Sequence, residues 1–222
     1  MSTKNISNFF SDFSIESIRD FVEKYLVQIV YGACIISVVA FLTIYAINKK
    51  ESRKNELVIS YYQAMNEARN DKNESALSIL ENIYNSKYAD EDIKTISGIR
   101  MAEILSSNKQ YNEAVKIYKN IYSFKKNDNF LRNLSGLAGL SILVNENNSQ
   151  NYPEIEKLIR SLNSVNNPLI LLVHEQEGMF ELQRGNTEKG VEILNNLLLE
   201  EGLDEDTRSR VELVLKLYKS EK

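Results

Sequence analysis

The sequence predicts an all-α protein in which one transmembrane helix is followed by a solenoid of helical hairpins. Three observations carry that expectation. Tyr25 to Ile47 is a run of 23 residues without a formal charge. The residues beyond it contain only two prolines, Pro153 and Pro168, and their apolar positions recur every three or four residues rather than every two. The breaks between these apolar stripes are short and polar, so successive helices should pack as antiparallel neighbours.

The uncharged run is expected to span a membrane. Twenty-three residues at a rise of ~1.5 Å reach about 35 Å, enough to cross a hydrocarbon layer of roughly 30 Å. Gln28, Ser37 and Thr43 are its only polar side chains apart from the tyrosines. Tyr25, Tyr31 and Tyr45 are aromatic, and Tyr25 and Tyr45 fall where interfacial anchors belong. Cys34, the single cysteine, is a small apolar filler there and excludes an intrachain disulfide. The run is longer than a signal-peptide core and ends at Ile47 without a small-x-small cleavage pattern, so a retained anchor is expected. Residues 1–24 form the N-terminal segment. Within it Phe10, Phe13, Ile18 and Phe21 approximate one helical face that either lies along the membrane interface or straightens into the span. Lys4, Arg19 and Lys24 precede the span and Lys49, Lys50, Arg53 and Lys54 follow it, a slight lean toward a cytoplasmic C-terminal side.

Residues 51–222 are enough for one well-buried domain. Their net charge is near −5 with both signs interspersed, which argues against nucleic acid as a partner. The stripes follow in order. Leu57, Tyr61, Ala64, Met65 and Ala68 form the first, and Ala76, Leu77, Leu80, Ile83 and Tyr84 the second. Ile99, Ala102 and Leu105 precede Ala114, Val115, Tyr118 and Ile121. Leu134, Leu137, Ala138 and Ile142 precede Ile155, Leu158, Ile159 and Leu162. Leu182, Val191, Leu194, Leu197 and Leu198 continue the series, and Val211, Val214, Leu215 and Tyr218 close it.

Within this series Ala102, Leu105, Tyr111, Ala114 and Tyr118 have the spacing of a tetratricopeptide unit. Small Ala102 and Ala114 allow the paired helices to approach, while Tyr111 and Tyr118 fill the gap to the next pair. The second-helix positions Ala76, Ala114, Ile155 and Gly190 are 38, 41 and 35 residues apart, so the expected domain is tetratricopeptide-like with irregular units. Glu205 to Ser220 is expected to cap the open end.

The arrangement resembles the ancillary SecYEG translocon subunit family of Gram-negative bacteria. The resemblance is carried by Ile18 to Tyr25 (IRDFVEKY), the span, and the first soluble helix with Tyr61-Tyr62-Gln63-Ala64. It covers nearly the whole chain and rests on architecture rather than on catalytic motifs. It implies a single-pass inner-membrane protein with a cytoplasmic N-terminus and a periplasmic C-terminal domain. It also implies association with the Sec translocon, periplasmic chaperones and exported clients.

No catalytic constellation is legible. His174 is the only histidine, so a zinc site lacks ligands and no metal is expected. No serine sits in a nucleophile elbow and no glycine-rich loop precedes Lys-Ser or Lys-Thr, so no enzyme activity and no cofactor are expected. Glu175 and Glu177 read as a solvated acidic pair. The expected activity is protein binding on the concave side of the stack, where first helices of such units line a groove for extended or helical segments. The candidate positions are Tyr61, Met65, Arg100, Glu103, Arg132 and Glu181. A cytoplasm-facing membrane adaptor recruiting a soluble complex is the other reading.

Overall fold

The computed structural model describes residues 15–124, 128–164 and 166–220, and every described regular element is helical. Phe10 and Phe13 of the expected N-terminal face lie outside the described residues. The chain divides into two compact units, Met1–Arg53 and Lys54–Lys222.

Helix α1 runs Ile15–Arg69 and contributes to both units. In the first unit it carries the uncharged run. Among the described residues it is the one helix long and apolar enough to cross a membrane, with a mean hydropathy of 2.3 in its most apolar stretch and nothing in that stretch buried. Val30, Tyr31, Ile35, Ile36, Phe41 and Ile47 are all more than half exposed. A water-soluble helix would hide such residues, because each large apolar side chain left in water forgoes about 1.5–3 kcal/mol. The Thr43 hydroxyl donates to the Val39 carbonyl at 2.8 Å, so this polar group is satisfied inside the helix. Lys24 lies over the Tyr25 ring at 5.5 Å and Lys49 over the Tyr45 ring at 5.9 Å. An aromatic ring with an adjacent cation thus marks each end of the run, as suits a helix whose ends sit at headgroup depth.

In the second unit the end of α1 is followed by α2 (Asn73–Tyr84), α3 (Glu91–Ser107), α4 (Tyr111–Ser123) and α5 (Asn129–Glu146). A 3₁₀ turn at Ser149–Asn151 leads into α6 (Tyr152–Leu162), then α7 (Ile170–Gln183), α8 (Thr187–Leu198) and α9 (Glu205–Ser220). Consecutive helices from α2 to α9 pack against one another, and α5 also meets α3 and α7.

The repetition is more regular than the spacing of the second helices suggests. Asp71, Lys109, Asn147 and Gly185 all have positive φ, and they fall at intervals of 38 residues. Each ends an odd-numbered helix. In three of these turns the same two backbone bonds recur: Asp71 to Ala68 with Lys72 to Glu67, Lys109 to Ser106 with Gln110 to Leu105, and Gly185 to Leu182 with Asn186 to Glu181. These are left-handed caps that satisfy the last carbonyls of the helix and reverse the chain. The same 38-residue interval relates Ala64, Ala102, Leu140 and Gly178, all buried, and Ile83, Ile121, Ile159 and Leu197, all at most 6% exposed. It also relates the helix-capping carboxylates of Asp90 and Asp128, which accept from backbone N–H groups at the starts of α3 and α5. Asp204, two intervals further on, caps α9 through the Thr207 N–H at 2.9 Å. The apparent irregularity at Ile155 is local: the three-residue 3₁₀ turn delays the start of α6, which is correspondingly short.

The small-residue expectation holds. Ala76, Ala102 and Ala114 are fully buried, and Tyr118 is 5% exposed. Gly178 lies against Leu194, and Gly190 against Leu182, closely enough that neither has room for a Cβ. One expectation is corrected. Glu175 is not solvated: it is 4% exposed, and Arg210 of α9 donates to both its carboxylate oxygens at 2.9 and 3.0 Å. Arg210 also donates to the Thr207 hydroxyl, so the last helix is latched to α7 by charge as well as by Val211 and Leu215. Glu177 is half-buried.

Candidate functional site

Four of the six groove candidates come from two helices that face each other. Tyr61 and Met65 stand on the last turns of α1, half-buried around the Ala64, Ala76 and Met101 cluster. Arg100 and Glu103 stand on α3, and Arg100 donates to the Glu103 carboxylate at 2.6 Å. Both members of that pair are nearly half exposed, so solvent weakens the attraction and leaves the two groups free to exchange partners.

Burial and neighbouring charge both act on the tyrosines at this point. Burial pushes the Tyr61 hydroxyl above its ordinary range; the Arg100 guanidinium opposes this and the Glu103 carboxylate adds to it. On α4, burial with a contribution from Glu103 pushes the Tyr118 hydroxyl up to about 12. Both phenols therefore stay protonated donors. The Tyr61 ring meets the Tyr62 ring edge to face at 6.1 Å, and Tyr62 is 69% exposed. The result is an aromatic pair beside a cation and a carboxylate that are open to solvent, with the Tyr118 phenol buried beneath them. Such a surface offers apolar contact, cation–π contact and hydrogen bonds to a passing peptide.

The other two candidates have different surroundings. Arg132 of α5 donates through Nε to the Tyr122 carbonyl at 3.1 Å and through Nη1 to Asn129 at 3.2 Å, fastening the corner between α4 and α5. Glu181 is 3% exposed, and its carboxylate accepts from Arg184, Asn186 and Lys189 at 2.6–2.9 Å. Burial pushes this carboxyl up, but the hydrogen bonds from Lys189, Asn186 and Arg184 outweigh it and hold it below the usual range. Arg184 also donates to Glu156 of α6 at 2.6 Å and lies 5.0 Å from the centre of the Phe180 ring. Glu181 is thus the hub of a network joining α6, α7 and α8 rather than an open groove position. The network borders a depression of about 280 Å³. Arg184, Asn186 and Lys189 follow Glu181 by three, five and eight residues, and Glu156, 28 residues before Arg184, joins the network from α6.

His174 lies 3.5 Å from the Asn163 side chain. Among the described residues no three acidic, histidine or cysteine side chains are grouped to hold a metal. Cys34 is exposed within the apolar run. Comparison with protein-family models, curated proteins and solved structures returns no match.

Proposed function

We propose that the chain is a membrane-anchored scaffold whose helical-hairpin domain, a tetratricopeptide-like stack, binds segments of other proteins. The observation that carries this reading is the meeting of Tyr61, Tyr62, Arg100 and Glu103 on the first helices of two consecutive hairpins, open to solvent in a chain with a 23-residue uncharged run. One span by itself builds no transport path, so its role is placement. The partners fitting the family resemblance are the Sec translocon, periplasmic chaperones and exported clients, met by a periplasmic C-terminal domain on an inner membrane. The basic cluster Lys49, Lys50, Arg53 and Lys54 favours a second reading, a cytoplasm-facing adaptor that recruits a soluble complex.

A pair of topology reporters fused after Lys222 separates the two. Activity of a reporter that works only outside the cytoplasm is the result expected of the translocon reading. Activity confined to a cytoplasmic reporter would overturn it and leave the adaptor. Neither reading requires catalysis.

A further inference from the structure

We propose that a depression where α3 and α4 meet α5 takes a lysine or arginine side chain of a bound protein segment, with Glu146 as its acceptor. The inference rests on the reading of the second unit as a binder of protein segments, and it names the chemistry such a segment carries.

The depression has a volume of about 320 Å³ and is lined by Ser106, Ser107, Tyr111, Ile142, Asn145 and Glu146. The 38-residue interval supplies two equivalent junctions for comparison. One interval earlier, Asn73 and Asn108 stand where Tyr111 and Glu146 stand here. There the Asn73 amide donates to the Asn108 side chain at 3.4 Å and bridges the junction. One interval later, Phe180 and Arg184 replace Ile142 and Glu146. Arg184 lies 5.0 Å from the centre of the Phe180 ring and donates to Glu181 and Glu156. Both neighbouring junctions thus use these positions for contacts within the fold. The middle one does not: the side-chain polar groups of Tyr111, Asn145 and Glu146 bond to no described residue.

The lining carries one formal charge, that of the half-buried Glu146. Lys109 and Glu113, on either side of Tyr111 in the sequence, are exposed, opposite in sign and outside the lining. A long aliphatic stem ending in a cation matches these groups. The stem packs on Ile142 and the Tyr111 ring, and the cation donates to the Glu146 carboxylate and the Asn145 carbonyl oxygen. Ligand clefts run from roughly 300 to 1,000 Å³, so this depression suits one side chain rather than a cofactor. It also adjoins the Tyr61 surface. The Ser107 hydroxyl donates to the Glu103 carbonyl at 3.0 Å, one helical turn away, so a single segment can occupy both. The Glu103 carboxylate is paired with Arg100, which leaves Glu146 the unpaired acid of the two.

The full chain in phosphatidylcholine nanodiscs is screened against a displayed random-peptide library, with empty nanodiscs as the reference. Enriched peptides are expected to share a lysine or arginine. A synthetic peptide of the enriched sequence, with that residue kept or replaced by glutamine, is then titrated against the parent chain and against Glu146→Gln. The replacement should weaken binding to the parent about fivefold and leave binding to Glu146→Gln unchanged. Equal weakening in both chains, or enriched peptides without a shared cation, would overturn the cation site while leaving segment binding in place. No enrichment over empty nanodiscs would overturn both. Glu146→Gln removes a charge but no bond within the fold, and its helicity should match the parent chain. Tyr111→Phe, which removes only a hydroxyl, carries the same comparison if Glu146→Gln does not fold.

Discussion

Replacing Gly190 by alanine tests how closely α7 and α8 are packed. A Cβ at Gly190 would lie 2.7 Å from Leu182 Cγ and Cδ2 and 2.9 Å from the Leu182 backbone nitrogen. The side chain can rotate only within a packed cluster, because Leu182 is 4% exposed and sits with Leu194 and Leu197. The nitrogen cannot move without the helix. Restoring ordinary contact therefore requires α8 to shift by roughly half an ångström in a close-packed interior. Such overpacking costs about 1–3 kcal/mol, against a gain of about 1 kcal/mol from replacing glycine inside a helix. The net loss, up to about 2 kcal/mol, should lower the midpoint of thermal unfolding by up to about 6 °C for a domain of this size. Circular dichroism of the full chain in detergent reads the midpoint. Gly32→Ala is the control, since a Cβ there meets nothing within 4 Å. A Gly190→Ala midpoint above that of the parent chain would refute the close crossing.

Three other perturbations follow from the same structure. Glu181→Gln should cost about 2 kcal/mol, because Arg184 and Lys189 lose a charged acceptor but remain partly hydrated. Since the folded carboxyl lies below its ordinary 4.5, its contribution is complete above that pH and is lost as pH falls through the folded value; the difference in urea stability between parent and variant should narrow on acidification. Arg210→Ala leaves the Glu175 carboxylate buried without its two bonds, and amide exchange should accelerate in α9 while α2 and α3 are unchanged; equal exchange throughout would mean that the latch carries no weight. Lys109→Gly relieves a non-glycine residue held at φ 62° and should stabilise the domain by about 0.5–1 kcal/mol, seen as a higher urea midpoint.

Much of this architecture was legible in the sequence because it rests on local physics. The uncharged run from Tyr25, the apolar stripes and the polar breaks each depend on residues within a turn or two. The last helix falls at Glu205–Ser220 as expected. The regular 38-residue interval was hidden for two reasons. Equivalent positions hold different residue types, such as Ala64, Ala102, Leu140 and Gly178, and three of the four left-handed caps are Asp71, Lys109 and Asn147, which announce no turn as glycine does. Buried polar groups were harder still. Glu175 stands on the same helix as Glu177, and only Arg210, at 35 residues' distance, separates a latch from a solvated face. For Arg132 the deciding partner is a backbone carbonyl, that of Tyr122, which side-chain spacing does not reveal.

We propose that the Tyr61 surface of a membrane-held domain takes protein segments. A photo-crosslinking amino acid placed at Tyr61 in the full chain, activated in native membranes, tests it most directly. Covalent adducts with a discrete set of polypeptides, diminished when Arg100→Glu removes the cation beside the ring, are the predicted result. Adducts with lipid alone, or polypeptide adducts that Arg100→Glu leaves unchanged, would contradict it.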